Sequence, residues 1–216
     1  MNAKELIACR VAREIQPGSL VNLGIGLPTM VAQYVAPDSD VFFQSENGII
    51  GSGGLPDGMD NPSLSDAGGG MIGALPGAAA FDSSFSFGLI RGGHLDMTVL
   101  GGLQVDSQGR LANWIIPGKM VPGMGGAMDL VTSARKVIVA MIHTAKGNVK
   151  IVDKLNLPMT SSRRVDLIVT ELAVIKPSEQ GLILQEVAPG VDVAQVQEQT
   201  EAKLIVSEPV KTMELS

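Results

Sequence analysis

Glycine in this chain falls in clusters, at 24–26, 48–54, 68–73, 92–93, 101–102 and 118–126, and each cluster opens or closes an apolar run. It makes up 26 of 216 residues, against a usual share of about 7%. Scattered glycines would mark a linker. Clustered at element ends, they let the backbone take φ > 0 or pass close to a ligand. The apolar runs VIVAMI (137–142) and LIVT (167–170) are continuous rather than alternating, as strands covered on both faces require. The expected fold is α/β: a single open α/β/α sandwich with a mainly parallel sheet, formed by residues 1–216 as one domain.

Ile7, Val11 and Ile15 repeat every fourth residue, predicting an amphipathic helix over 3–15 that Gln16-Pro17-Gly18 stops. Residues 19–23 predict a strand and Gly24-Ile25-Gly26 a tight turn. Pro28 suits the first turn of a helix running to Ala36. Further strands are expected at 41–45, 95–100, 137–142, 165–170 and 182–187, a short helix near 78–87, and a last helix over 193–203. Residues 51–80 have weak periodicity and read as loops.

Sixteen basic residues against 22 acidic ones give a net charge of −6, which argues against nucleic acid or an anionic membrane as partner. Cys9 is the only cysteine, so no intrachain disulfide forms and a reducing compartment is the simpler setting. The N-terminus lacks a continuous apolar signal region. The stretch poorest in charge, AGGGMIGALPGAAAFDSSFSFGLI (67–90), is broken by Pro76, Asp82 and its glycines, and does not supply about 20 apolar residues for a spanning helix. A soluble, cytoplasmic protein is expected.

Several chemistries lack their residues. His94, His143 and Cys9 do not make a zinc cluster, and no metal site is expected. No G-x-S-x-G elbow or G-x-x-x-x-G-K-[ST] loop occurs, and Thr29 holds the third position of the incomplete dinucleotide fingerprint begun at Gly24. His94 reads as a turn residue, His143 as a polar strand end and Cys9 as packing.

Glu46 stands out, a lone acid in QSENGIIG (44–51) between Val41-Phe42-Phe43 and Ile49-Ile50. One reading is a plain β-hairpin turned at Asn47-Gly48. The other is a carboxylate presented to a cavity at a strand's end, where it can act as a covalent nucleophile once desolvated and aimed. The second candidate is IPGKMVPGMGGAMDLV (116–131). Its small residues bring main-chain N–H groups to a ligand oxygen, as an oxyanion hole needs, while its methionines suit a buried loop or a subunit contact.

With these two stretches in view, the chain closely resembles the β subunit of the family I (3-oxoacid type) coenzyme A transferases, the acetate/butyrate–acetoacetate group in particular. The match also runs through VNLGIGLPTMVA (21–32), FDSSFSFGLIRGGHLDMTVLGGLQVD (81–106), LANWIIPGKMVPGMGGAMDLV (111–131) and VTELAVI (169–175), nearly the whole length in order. The resemblance implies Glu46 as nucleophile, passing through a mixed anhydride and a glutamyl-CoA thioester in ping-pong kinetics. It implies main-chain oxyanion donors at Gly126 and Ala127, and contacts to coenzyme A from Asn22 and Lys119. Coenzyme A is then substrate and covalent intermediate, with no permanently bound cofactor. The implied partners are a separately encoded α subunit in an α2β2 hetero-oligomer, together with acyl-CoA and carboxylic acid substrates such as acetate, butyrate or acetoacetate. Gly69 departs from the A-G-K of some relatives, whose lysine has been linked to the cofactor. A different class, a sugar-phosphate isomerase or sensor on a related scaffold, would want basic residues beside the glycine turns, and residues 48–80 have none.

Overall fold

The structure, a computed structural model, describes residues 1–54, 63–118 and 123–215. The chain opens with α1 (Ala3–Ala12), capped by Asn2 and Glu5 in a capping box. It ends short of Ile15 because Glu14 and Ile15 turn back on Val11 and Ala12 in tighter bonds. β1 (Leu20–Leu23) follows. The helix expected through Ala36 is instead a 3-10 helix, Leu27–Tyr34. The hairpin strands β2 (Phe42–Ser45) and β3 (Ile49–Gly53) then lead to β4 (Gly73–Ala80).

The short helix expected near 78–87 starts later, as α2 (Ser83–Arg91), because the Asp82 side chain accepts from Phe85 N–H and sets the N-cap there. β5 (Met97–Leu100), β6 (Gln104–Asp106), β7 (Leu111–Ala112) and α3 (Ala127–Ser133) come next. β8 (Lys136–Ala140) precedes three two-residue strands, β9 (Thr144–Ala145), β10 (Asn148–Val149) and β11 (Ile151–Val152). The chain closes through β12 (Leu167–Val169), β13 (Ala173–Ser178), β14 (Gly181–Val187), α4 (Val193–Glu198) and β15 (Leu204–Thr212).

Ten strands form one sheet in the order β15-β14-β13-β12-β8-β5-β1-β2-β3-β4. The block from β12 to β2 is parallel throughout, and antiparallel strands flank it. Its continuous apolar runs feed two cores, one per face. Ile138 and Ala140 of β8 pack with Ile7, Ala8 and Val11 of α1, whereas Val137 and Val139 pack with Ile90 of α2 and Leu130 of α3. This is the expected α/β sandwich with a mostly parallel sheet. Helix α1 is further fixed by Arg10, which bonds Glu186 at 2.7 and 2.8 Å and Glu14 at 2.8 Å, while Lys136 meets Glu14 at 2.6 Å.

Two expectations are corrected. Residues 51–80 contain β3 and β4 rather than loops alone, because the edge strand GALPGAAA is held by main-chain pairing to β3 and carries no apolar alternation of its own. The last helix stops at Glu198, where Thr200 turns its N–H to the Gln197 carbonyl. Among the described residues, no helix is long and apolar enough to cross a membrane.

Candidate active site

The chain leaves β1 toward β2 on one side and reaches β5 on the other, so the order reverses at β1. In open α/β sheets the crevice at the carboxyl ends of such strands is where ligands bind. A cleft of about 660 Å³ opens there, lined from these strand ends by Gly24, Glu46 and Leu100 and closed by residues 123–127. Gly24 is forced by packing, since a methyl group on it would press within 3.1 Å of the Val99 carbonyl oxygen and the Leu100 side chain.

Glu46 sits at the turn between β2 and β3, whose register pairs Gln44 with Ile50 and Ser45 with Ile49. The hairpin and the presented carboxylate are therefore one object. Gly48 makes the turn possible: its φ is +127° and any side chain would strike the Phe81 carbonyl. Ser45 Oγ accepts from Ala67 N–H at 2.9 Å and Asn47 donates to the Ser65 carbonyl at 2.7 Å, tying the turn to the chain leading into β4.

Beneath Glu46 runs a buried polar row. Asn22 of β1 stands in register with Gln44 of β2 and Thr98 of β5. Thr98 donates to Asn22 Oδ1 at 3.1 Å; Asn22 Nδ2 donates to Gln44 Oε1 at 2.9 Å and to Glu46 Oε2 at 3.1 Å; Gln44 Nε2 donates to Ser86 Oγ of α2 at 2.9 Å. Every member is satisfied, as a buried network must be. Because a carboxylate only accepts, the Asn22 amide turns its NH₂ toward Glu46 and its oxygen toward the Thr98 hydroxyl.

On the other side, a methyl group on Gly126 would lie 3.3 Å from both Glu46 Cγ and Phe87 Cζ. Gly126 precedes α3 as its N-cap. The Ala127 N–H donates to the Met124 carbonyl at 3.1 Å, closing a turn. Of the expected site residues, Glu46, Gly126 and Ala127 line one cleft and Asn22 lies directly behind it. Asn22 is 0% exposed, so its amide faces Glu46 and Gln44 rather than the open cleft. Lys119 lies outside the described residues. Gly69, with φ +80°, adopts a conformation that favours glycine.

The sequence reading missed Gln44, Ser86, Thr98 and Phe87. Strand register gives the first and third their place beside Asn22, a signal that exists only once the strands are paired. The histidines stay out of the cleft. His94 N–H closes a turn onto the Leu89 carbonyl. His143 is fully buried between Thr170 and Thr200 at 2.9 and 3.0 Å, and burial, with Lys150 nearby, lowers its pKa to about 4. Among the described residues lining the cleft, Glu46 is the sole titratable side chain. A phosphate-binding reading finds no basic side chain there. A second, polar hollow of about 470 Å³ sets Arg110, Arg164 and Lys203 against Asp153 and Glu179, and Arg110 is already neutralised by Asp106.

At a topological switch point, the cleft thus holds one carboxylate with an amide donor behind it, an arrangement that can carry acyl chemistry. A family model described as Coenzyme A transferase matches residues 4–199. The chain is 53% identical over 217 residues to the acetate CoA-transferase subunit beta of Haemophilus influenzae, covering 100% of this chain and 97% of that one. It is 54% identical over 213 residues to the acetate CoA-transferase subunit beta of Escherichia coli, covering 98% of each. Among solved structures, the acyl-CoA transferase YdiF apoenzyme of Escherichia coli O157:H7 superposes with a TM-score of 0.81 at 26% identity, over 99% of this chain. This chain spans 44% of the YdiF chain, less than half its length. The chain therefore belongs to the coenzyme A transferase family, as an enzyme subunit of its β type.

Proposed function

We propose that this chain is the nucleophile-bearing β subunit of a two-subunit enzyme that moves coenzyme A between a short-chain acyl-CoA and a carboxylic acid, with residues 1–216 working as one domain. The observation that supports it best is Glu46 alone in an apolar cleft, its carboxylate held at 3.1 Å by the Asn22 amide. In the proposed cycle a Glu46 oxygen attacks the thioester carbonyl, the C–S bond breaks and coenzyme A leaves as thiolate. The thiolate then attacks Cδ of Glu46 in the mixed anhydride, the first acid departs as carboxylate, and a glutamyl-CoA thioester remains. The incoming acid attacks that Cδ and expels the thiolate. The thiolate attacks the new acyl carbon, and Glu46 is freed as carboxylate. No water, ATP or net proton is consumed, and the apolar walls protect two hydrolysable intermediates.

Gly126 and Ala127 serve as main-chain donors to the developing oxyanions, Ala127 by releasing or sharing its bond to the Met124 carbonyl. Asn22 acts on coenzyme A chemistry through Glu46, and Lys119 is kept as a contact for the cofactor's phosphates. Acetate, butyrate and acetoacetate are the proposed acids. The complementary half of the site comes from a separately encoded α subunit in an α2β2 assembly working in the cytoplasm.

The test is to co-express this chain with its α subunit, incubate the complex with acyl-CoA and digest it. The expected result is a CoA-sized mass increment on the peptide carrying Glu46, removed by added carboxylic acid, and loss of turnover in Glu46→Ala. An adduct on the α subunit instead, or near-normal turnover by Glu46→Ala, defeats the reading.

A further inference from the structure

We propose that Phe87 is the wall that selects short, uncharged aliphatic acyl groups, an inference that rests on Glu46 being the nucleophile. Gly126 is the seat they share: the Glu46 stem and the Phe87 ring edge each lie 3.3 Å from the point where a Gly126 methyl would be. An acyl group bonded to a Glu46 oxygen is thereby brought within reach of that ring. The ring is not free to withdraw. It projects from α2, whose start is fixed by Asp82. Arg91, one turn on, lies 5.6 Å over the ring centroid and holds Asp129 of α3 at 2.7 Å. The aromatic is thus backed by Arg91 of its own helix, which is tied in turn to α3, and support of this kind is what a size filter needs.

The remaining walls reinforce the choice. Leu100, Leu103 and Leu130 line the same cleft, and no Lys, Arg or His does so among the described residues. A second carboxylate on the acyl group, as in a succinyl chain, would be desolvated against leucine and phenylalanine with no counter-charge from the described lining residues of this chain. An aliphatic tail gains by the same contacts until the ring stops it. Discrimination by one methylene in such a pocket is worth roughly 10- to 200-fold, so the ring edge alone is enough to set a sharp chain-length limit.

The experiment uses the complex of this chain with its α subunit. Values of kcat/KM for acetyl-, butyryl-, hexanoyl- and succinyl-CoA are compared among wild type, Phe87→Ala and Phe87→Leu, with the CoA adduct on the Glu46 peptide followed in each. The expected result is a wild type that falls off beyond butyryl, and a hexanoyl-to-butyryl ratio at least about tenfold higher in Phe87→Ala. Phe87→Leu should lie between, and it carries the test if the alanine variant does not fold. Succinyl-CoA should stay poor in all three. An adduct that forms normally while the ratio stays fixed overturns the role of Phe87. Succinyl-CoA as a preferred wild-type substrate overturns the charge selection. A wild type with no adduct on Glu46 overturns the nucleophile assignment and this inference with it.

Discussion

The amide nitrogen of Asn22 lies 3.1 Å from the Glu46 carboxylate, and the other end of that amide is held 3.1 Å from the Thr98 hydroxyl. A strand interior thereby reaches the back of the cleft and turns an amide NH₂ to Glu46. Asn22→Ala removes a hydrogen bond to a charged group, a loss of about 1.5–3 kcal/mol, and turnover should drop roughly 10- to 100-fold. The rate of Glu46 adduct formation by rapid quench measures it directly.

Thr98→Val keeps the shape and removes the proton that fixes Asn22. With Oδ1 left buried and unpaired, stability should fall by about 1–3 kcal/mol, read by urea unfolding. Adduct formation should slow as well, because the Asn22 amide loses the hydroxyl that holds it in place beside Glu46. Thr98→Ser should restore both quantities.

Gly48→Ala puts a side chain at φ +127° and against the Phe81 carbonyl. Such strain costs on the order of 1–3 kcal/mol, and here a steric collision adds to it. The variant should unfold at least about 2 kcal/mol more easily, and its adduct yield should fall more than that of an exposed control far from the cleft such as Lys4→Ala.

Acid should weaken the fold from about pH 6.5 downward through His143. His143 has a folded pKa of about 4 against an ordinary 6.5, burial being the larger cause and the Lys150 charge the smaller. The folded state then binds fewer protons than the unfolded chain, so stability is lost as pH falls through 6.5, and the loss is complete near 4. It amounts to about 3 kcal/mol. Glu14 contributes in a lower window. Burial pushes its carboxyl up, but hydrogen bonds from Lys136 and Arg10 outweigh that and hold it below 4.5, so its contribution is present above 4.5 and lost as pH falls below. Urea titrations between pH 6.5 and 4.5 should show a slope that His143→Gln flattens.

Arg10→Ala strands Glu186 beside α1, while Glu14 keeps Lys136. Breaking a buried pair from one side costs about 3–5 kcal/mol. The double replacement Arg10→Met, Glu186→Leu should recover most of it in chemical denaturation, since apolar packing removes the uncompensated charge.

The parallel core was legible because its strands include continuous apolar runs, as at 137–142 and 167–170, and the candidate site was legible because Glu46 stands between two apolar stretches. What escaped lies at the margins of the main sheet and in the short strands β6, β7 and β9 to β11 outside it. β4 is glycine, alanine and proline with no alternation, and β15 carries Glu208-Pro209 within its span; both owe their form to a neighbouring strand. AVIKPS (173–178) hides β13 for a similar reason, with Lys176 and Pro177 inside it. The two readings of SENGII competed only in sequence, since one turn both closes the hairpin and carries the acid. Lys119 and the segment around it lie outside the described residues.

The Phe81 N–H bonds the Gly48 carbonyl at 2.9 Å, one residue before the cap that starts α2. A single amide proton therefore spans the stalk of the acid and the root of the aromatic wall. Its exchange with deuterium offers a readout of whether the pocket is assembled, one that needs neither substrate nor the companion subunit.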